Sequence, residues 1–276
     1  MRIGLFPFLT DYSMPVHELA MAAEARGFES IWVPEHTHIP TARGTVYPGG
    51  GELPKEYSHT LDPFVALGAA AAVTTKIKLG TGICLIIERD TITTAKAVAT
   101  LDHFSNGRVL FGIGAGWNRE EMENHGTQYA SRFRKMEEQM QALKRIWTQD
   151  EAQFHGEFVN FDPIWSWPKP KQQPHPPIVL GGETDHTLKR IVQYGDGWLP
   201  RARDPQKVLD GMTKLRKFAA EAGRDMRTLS VSVFAPPAKA TEQFIDTDAD
   251  RVILILPADD STATLKRMDR YAQYIR

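Results

Sequence analysis

The sequence predicts an α/β fold, a single-domain (β/α)8 barrel, from three observations. Strand-like and helix-like segments alternate along the whole chain, which is the pattern of parallel strands joined by crossover helices. Nearly every strand candidate is followed by a helix candidate. The chain has 276 residues, a normal length for a barrel of eight such units. The strand candidates are residues 2–6, 30–36, 77–86, 109–114, 177–182, 197–200, 229–235 and 251–256.

Helices are predicted between these strands from cap residues and from apolar stripes at helical spacing. Asp62 is placed to cap a helix that has Pro63 in its first position and runs to Thr74. Further helices are expected at 91–104, at 185–194 and from Asn118 onward. Apolar stripes identify the remaining four: Val16, Leu19, Ala20 and Ala23; Met136, Met140, Leu143 and Trp147; Val208, Met212, Leu215, Ala219 and Ala222; Leu265, Met268, Ala272 and Ile275.

The segment 151–176 is the main irregularity, and we interpret it as an insertion between the fifth helix and the fifth strand. Residues 154–158 indicate a small hairpin, and a proline-rich run around Trp165 and Trp167 follows it. No internal repeat or low-complexity linker divides the chain. One domain is therefore expected to cover residues 1–276.

The alternative α/β fold is a doubly wound dinucleotide-binding sheet. That fold expects a G-x-G-x-x-G turn after its first strand and an acidic residue about 20 residues later. Here the first strand ends in Phe6-Pro-Phe8 without such a turn, and the glycines at 112, 114 and 116 have a different spacing. The pattern therefore favours the barrel.

Composition excludes several classes of function. A formal net charge of −1 gives no electrostatic case for binding nucleic acid. The single cysteine, Cys84, excludes an internal disulfide and a cysteine-only metal cage. The longest apolar stretch, 63–73, is shorter than the roughly 20 residues that a membrane-spanning helix needs. With no apolar leader at its N-terminus, the chain is expected in the cytoplasm, away from membranes.

Two glycine-rich turns at strand ends predict a site for a phosphate. Glycines 112, 114 and 116 remove alternate side chains as one strand ends, and a helix is expected to open just beyond. A Gly-Gly pair ends the fifth strand in the same way. Bare backbone amides near a helix N-terminus attract anions. The candidate cofactor-binding residues in the two turns are Gly114, Ala115, Gly116, Trp117, Gly181, Gly182 and Glu183.

The one dense polar cluster at a strand end is Glu35-His36-Thr37-His38. It is compatible with metal binding, but a barrel metallohydrolase would also need histidines and a lysine at later strand ends, which are absent. A hydrogen-bonded structural pair at the barrel rim is a second interpretation. The functional interpretation is that His36 donates a hydrogen bond to a cofactor or moves a proton to a substrate. We expect no metal site.

The strand around 80–84 and the nearby aromatic residues carry weaker signals. Glycine inside a strand accommodates either tight packing or a close ligand, and the run Gly80-Thr-Gly-Ile-Cys84 allows both interpretations. Cys84 is interpreted as a small buried apolar residue and not as a nucleophile. Apolar residues suggest an apolar or aromatic substrate, with a lining formed by Phe6, Phe8, Trp32, Trp165 and Trp167.

These motifs resemble a known family. The run LDHFSNGRVLFGIGAGW at 101–117 closely resembles the signature of the bacterial luciferase-like oxidoreductases. Four other segments match that family in the same order: GFESIWVPEH at 27–36, GTGI at 80–83, PIVLGG at 177–182 and GDGWL at 195–199. The resemblance covers essentially the whole chain. It implies a (β/α)8 barrel that binds either flavin mononucleotide (FMN) or the 5-deazaflavin coenzyme F420.

Carried over residue by residue, the resemblance implies a role for each candidate. His36 would approach the tricyclic ring, and Gly82-Ile83 would form a bulge, often with a non-proline cis peptide, that supports one ring face. Pro7 and Thr81 are the other candidates in the cofactor site. The phosphate would be held by 114–117 and 181–183, and a substrate would bind beneath the 37–59 loop.

This chain departs from the family pattern at two positions. Members that oxidise a sugar phosphate have a glutamate where this chain has Trp117, so that substrate is not expected. Many relatives have a proline after the arginine that corresponds to Arg89, where this chain has Asp90. The short length and the pattern at 154–157 are most similar to the F420-dependent subgroup.

The expected function is hydride transfer between F420 and a small organic substrate, in either direction. His36 is the candidate proton donor, and Glu35 is expected to orient it. The first alternative is an FMN-dependent monooxygenase that receives reduced flavin from a separate reductase. The second is a non-catalytic flavin-binding protein. The resemblance also implies a homodimer.

Overall fold

The computed structural model describes residues 2–236, 238–244 and 247–275. Eleven strands form a closed parallel barrel and one separate hairpin. In chain order they are β1 (Arg2–Pro7), β2 (Ser30–Val33), β3 (Lys78–Thr81), β4 (Cys84–Leu85), β5 (Val109–Gly114), β6 (Glu151–His155), β7 (Asn160–Trp165), β8 (Ile178–Gly181), β9 (Gly197–Leu199), β10 (Ser230–Phe234) and β11 (Arg251–Leu256).

The strands of the barrel are all parallel, in the order β1, β2, β3, β5, β8, β9, β10, β11. β11 pairs with β1 and β3 pairs with β5, which closes the ring without a free edge. The third of the eight positions is divided, because β4 continues the chain after β3 and pairs with β5 farther up the barrel. The predicted (β/α)8 barrel is therefore confirmed, while the expected continuous strand at 77–86 is interrupted in its middle.

Eight α-helices accompany the strands. They are α1 (Val16–Ala25), α2 (Pro63–Val73), α3 (Thr91–Phe104), α4 (Arg119–Asn124), α5 (Arg132–Thr148), α6 (Asp185–Tyr194), α7 (Pro205–Glu221) and α8 (Ser261–Ala272). Between β10 and β11 the described chain instead forms a 3₁₀ helix, Ala238–Phe244. No helix in the part of the chain that the structure describes is long and apolar enough to cross a membrane.

Two aspartates fix the starts of neighbouring helices. Asp62 accepts hydrogen bonds from the backbone N–H groups of Phe64 and Val65, both at 2.9 Å, and Pro63 occupies the first turn of α2. Asp90 accepts from the N–H of Thr93 at 2.7 Å and caps α3. The departure from proline at position 90 therefore replaces a rigid residue with a helix cap.

The insertion forms an antiparallel hairpin of β6 and β7, longer than the predicted 154–158. Trp165 is the last residue of β7 and Trp167 lies just beyond it, and the two residues are 79% and 56% exposed. The expectation that these tryptophans line a substrate pocket is wrong, because the hairpin lies outside the barrel ring.

Trp32 fills the interior of the barrel and explains two of the strand glycines. Its side chain is completely buried, and its indole N–H donates to Ser30 Oγ at 2.9 Å. A Cβ atom on Gly80 would lie 2.4 Å from the Trp32 ring, and one on Gly112 would lie 2.0 Å from the carbonyl oxygen of Thr81. Gly112 therefore serves packing, and not the approach of a ligand that its spacing suggested.

Candidate active site

Aromatic side chains from several elements meet over the carboxyl ends of the barrel strands. The His36 ring, after β2, lies 5.2 Å from the ring of Tyr57 and 5.8 Å from that of Trp117. Tyr57 also lies 4.9 Å from Phe8, which follows β1. Phe6 and Phe8 pack with Trp32 and Ile83 in one apolar cluster. The structure thus brings His36 and Trp117 together above an apolar floor, at the end of the barrel where active sites of this fold lie.

His36 is held by Glu121, a residue that the sequence did not single out. Nδ1 of His36 and Oε2 of Glu121 are 2.8 Å apart, and the two side chains are only 7% and 0% exposed. This contact fixes the ring orientation and leaves the other ring nitrogen free to face a ligand.

Glu35 has different partners, which corrects the expectation that it orients His36. Its carboxylate accepts from the backbone N–H of Leu85 at 2.6 Å and from Nε of Arg89 at 2.5 Å. Arg89 also donates to Asp62 Oδ2 at 2.6 Å. Because both carboxylate oxygens are engaged there, Glu35 joins the interrupted third strand to the start of α2 and does not reach His36.

The break between β3 and β4 places Ile83 over the barrel interior. The Gly82–Ile83 peptide is cis, and the N–H of Gly82 donates to the carbonyl of Val33 at 2.7 Å. A Cβ on Gly114 would lie 2.0 Å from Cδ1 of Ile83, and one on Gly181 would lie 3.5 Å from its Cγ2. The bulge implied by the family resemblance is present, and Gly114 makes room for it because it carries no side chain.

Pro7 and Thr81 lie within the barrel wall. Pro7 is the last residue of β1 and pairs with Leu256. Thr81 Oγ1 donates to the carbonyl of Gly112 at 2.6 Å, so its hydroxyl serves the barrel itself. Both residues flank the site, and their predicted contacts with a cofactor stay predictions.

The first glycine turn leaves backbone amides unpaired. Gly116 has φ +63°, a conformation that favours glycine, and it follows Gly114 and buried Ala115. The N–H groups of Gly116 and Trp117 donate to no residue that the structure describes. They are therefore available to an anion. The short helix α4 begins two residues later.

The second turn repeats this arrangement before α6. Gly182 has φ +121°, and a Cβ there would lie 2.9 Å from Thr187 Oγ1. Its carbonyl accepts from Nε1 of Trp198 at 2.7 Å, which fixes the turn. Within the described chain, the N–H groups of Gly182 and Glu183 donate no hydrogen bond. These free amides and the N-terminus of α6 fit the phosphate group that the resemblance implies.

Charged side chains border a cavity of about 470 Å³ beside this turn. Arg201 donates to both carboxylate oxygens of Glu183, at 3.0 and 3.1 Å. Burial alone would raise the pKa of Glu183, but the hydrogen bonds from Arg201 outweigh it and hold that pKa below its usual value. Arg203, Lys207 and Lys214 also line the cavity and add positive charge near the amides, partly balanced by Asp185, Asp204 and Asp210.

The 37–59 loop covers the aromatic cluster and is tied down at two points. Glu120 accepts from the N–H groups of Gly44 and Thr45 at 2.7 and 3.2 Å. Arg203 donates to the carbonyl of Pro48 at 2.8 Å. Between these points Tyr47 places its hydroxyl 3.2 Å from that of Tyr57. These contacts hold the loop over the aromatic cluster, and the expectation that a substrate binds beneath it stays a prediction.

The tyrosines and Glu121 are the site residues that the sequence analysis missed. Burial and the hydrogen bond with Tyr47 raise the pKa of the Tyr57 phenol, which keeps it a neutral donor. Nothing in the polar 37–59 run distinguished Tyr57, and Glu121 stood in a segment that was expected only to open a helix. Among residues 2–236, 238–244 and 247–275, no three His, Cys, Asp or Glu side chains are grouped so that they could hold a metal ion.

Comparisons with known proteins agree on one family. Residues 13–273 match the family model described as luciferase-like monooxygenase. An uncharacterized protein of Mycobacterium tuberculosis is 40% identical over 277 residues, covering 97% of each chain. An FMNH2-dependent dimethylsulfone monooxygenase of Pseudomonas putida is 32% identical over 152 residues, 54% of this chain and 41% of that protein.

Solved structures support the fold. An F420-dependent secondary alcohol dehydrogenase, determined with an F420–acetone adduct, superposes with a TM-score of 0.70 over 100% of this chain and 82% of its own. The sequence identity is 22%, so this likeness concerns the barrel architecture alone.

Proposed function

This chain belongs to the luciferase-like monooxygenase family, and from that premise we propose that it is an F420-dependent oxidoreductase acting on a small organic substrate. The observation that carries the proposal is the convergence of His36, the Ile83 bulge and two turns with unpaired amides at one end of the barrel. When bound, F420 would supply hydride transfer at its ring.

The residues of the chain divide the remaining tasks. The amides at 116, 117, 182 and 183 are placed to bind a phosphate, and Ile83 offers an apolar surface for one face of a planar ring. His36 holds a proton at the ring nitrogen that does not contact Glu121 and is proposed to exchange it with the substrate. Tyr57, Tyr47 and Trp117 exclude water from the space above His36.

The second candidate is an FMN-dependent monooxygenase. The Pseudomonas putida relative, which uses FMNH2 as its name states, favours this reading of the same site. Such an enzyme would receive reduced flavin from a separate reductase. A homodimer is proposed for either candidate, and light scattering of the purified chain tests it.

Oxygen uptake separates the two candidates. A deazaflavin lacks N5 and reacts poorly with oxygen. An F420 enzyme should therefore oxidise or reduce F420 with a member of a substrate panel under nitrogen. In a separate assay in air it should consume no oxygen. Rapid oxygen uptake with reduced FMN, and no F420 turnover, would overturn the first proposal in favour of the second. Tight binding of either cofactor without turnover on any substrate would indicate a flavin-binding protein.

A further inference from the structure

The carboxylate that holds His36 comes from a helix position that ordinarily serves the helix itself. Asn118 is the N-cap residue of α4 and Glu121 is the third residue of that helix, the spacing of a capping box. In a capping box the two side chains satisfy each other's backbone N–H groups. Asn118 makes no cap hydrogen bond here, and Glu121 contacts His36 instead. The Glu121 side chain is therefore held by its contact with His36 and not by a capping contact within α4.

A second carboxyl group, Glu88, lies in the same buried region. Its side chain is 1% exposed. A Cβ on Gly116 would lie 3.6 Å from Oε1 of Glu88 and 3.5 Å from Cε of Met122, the neighbour of Glu121 in α4. Oε2 of Glu88 and Oε1 of Glu121 are both buried and have no hydrogen-bond partner among the described residues. Glu88 thus lies beneath the first glycine turn, behind His36.

If Glu88 and Glu121 were both ionised, their negative charges would repel each other. Burial raises the pKa of Glu88 to about 9, and the charges of Glu121 and then Glu35 act in the same direction. Two cations face Glu88 and oppose this effect, but both have other partners. Arg89 pairs with Glu35 and Asp62, and Lys135 donates to the carbonyl of Ile87 at 2.8 Å and to Thr127 Oγ1 at 2.6 Å.

His125 connects this region with solvent. Its Nε2 lies 3.9 Å from Oε2 of Glu88, and its side chain is partly exposed. The same nitrogen lies 2.7 Å from Thr37 Oγ1, which in turn contacts Nδ1 of His38 at 2.9 Å. Burial and the neighbouring His38 lower the pKa of His125, so it faces Glu88 as a neutral ring at neutral pH. His125 is therefore the partly exposed neighbour of Glu88.

We propose that Glu121 and Glu88 form one buried carboxyl pair behind His36, which carries a single proton and a single negative charge. The inference rests on the proposed function, in which His36 exchanges a proton with the substrate. Glu121 is a positioning residue: its Oε2 accepts the Nδ1–H of His36 and fixes the orientation of the ring. Glu88 is the neutral member, so that only one negative charge lies beneath the turn that would bind the phosphate.

The test is a pH titration of the histidine ring nitrogens by NMR in the cofactor-free, full-length protein. Ionisation of Glu88 should add a second inflection near pH 9 to the His36 resonances of the wild-type chain. Glu88→Gln should abolish that inflection, while Glu123→Gln, a more exposed position on the same helix, should keep it. A wild-type titration without the second step, or a step that persists in Glu88→Gln, would overturn the pair. The wild-type measurement decides even where a variant does not fold.

The role of Glu121 has its own measurement. In Glu121→Gln the Nδ1 resonance of His36 should move, because a carboxylate is replaced as the partner of that nitrogen. Glu121→Asp should recover part of that change. Unchanged His36 nitrogen resonances in Glu121→Gln would remove Glu121 from the proposal. These titrations need no cofactor, so failure of the proposed function would appear separately, as absence of F420 and FMN binding with the titrations intact.

Discussion

The His36 ring has aromatic neighbours on one side and contacts a carboxylate through Nδ1. Tyr57 and Trp117 pack near its ring, and Glu121 holds Nδ1. This separation suits a proton carrier, because the carboxylate fixes the ring while the aromatic side keeps water away. The free ring nitrogen is then the one polar group that His36 offers to a substrate.

Replacing His36 by Ala should reduce kcat by about 10²- to 10⁴-fold, the usual contribution of a general acid or base. Cofactor affinity should change by less than about threefold, because the phosphate is held elsewhere. Steady-state kinetics and a fluorescence titration measure the two quantities. His155→Ala, on the exposed hairpin, is the matched control. Unchanged turnover in His36→Ala would remove His36 from the chemistry.

Glu88 should make folding stability depend on pH in an unusual direction. The folded chain keeps the proton on Glu88 up to about pH 9, whereas the unfolded chain releases it near the ordinary value of 4.5. Between these values the folded state binds more protons, so this group lowers the free energy of unfolding as pH rises.

Chemical denaturation of wild type and Glu88→Gln across pH 5–9 measures this effect. As pH rises, the free energy of unfolding of Glu88→Gln should increase relative to that of wild type. The change should be at most about 1.4 kcal/mol per pH unit, the value for one proton. Glu123→Gln should show no such trend, because its side chain is partly exposed. Parallel curves for Glu88→Gln and wild type would contradict a proton held on Glu88 in the folded state.

At the scale of elements, strands and glycine turns could be predicted because periodicity and cap residues are local signals. The cap at Asp62 and the approximate positions of the barrel strands belong to this class. Contacts between distant segments could not be predicted. His36 and Glu121 are 85 residues apart, and the sequence indicated only that a helix opens near Asn118. Likewise, only the packed barrel shows that Gly112 accommodates Trp32 and the Thr81 carbonyl.

Gly112→Ala should therefore destabilise the barrel by about 1–3 kcal/mol, since the added methyl group would meet backbone and not a movable side chain. Gly68→Ala is the matched control. Gly68 lies within α2, and a Cβ there meets nothing within 4 Å, so alanine should stabilise by up to about 1 kcal/mol. Denaturant unfolding compares the two. Equal stability changes would contradict the packing account of Gly112.

The covering loop should open when its ties are removed. Arg203→Ala and Glu120→Ala each delete side-chain hydrogen bonds to the backbone of 44–48. Hydrogen exchange at 40–58 should then accelerate by roughly 10-fold, corresponding to about 1.4 kcal/mol of lost closure. Arg227→Ala, which removes an exposed ion pair far along the chain, should leave that exchange unchanged. If hydrogen exchange at 40–58 accelerates in neither loop variant, contacts other than these hydrogen bonds hold the loop.

At the scale of the whole molecule, the barrel separates stability from chemistry. Trp32 and its neighbours fill the interior, and the candidate site occupies the carboxyl ends of the strands. The two glycine turns follow β5 and β8, neighbours in the barrel but more than 60 residues apart in sequence, as Gly116 and Gly182 illustrate. The parallel pairing of β5 with β8 is what brings their amides to the same end.

The most direct test of this account is a fluorescence titration of the purified protein with F420, FMN and riboflavin, which lacks the phosphate of FMN. Amides that bind the phosphate should make FMN bind at least about 10-fold more tightly than riboflavin, since hydrogen bonds to charged groups contribute about 1.5–3 kcal/mol each. F420 should bind saturably at the same site and compete with FMN. Equal affinities for FMN and riboflavin, or no saturable binding of F420 or FMN, would contradict the central claim.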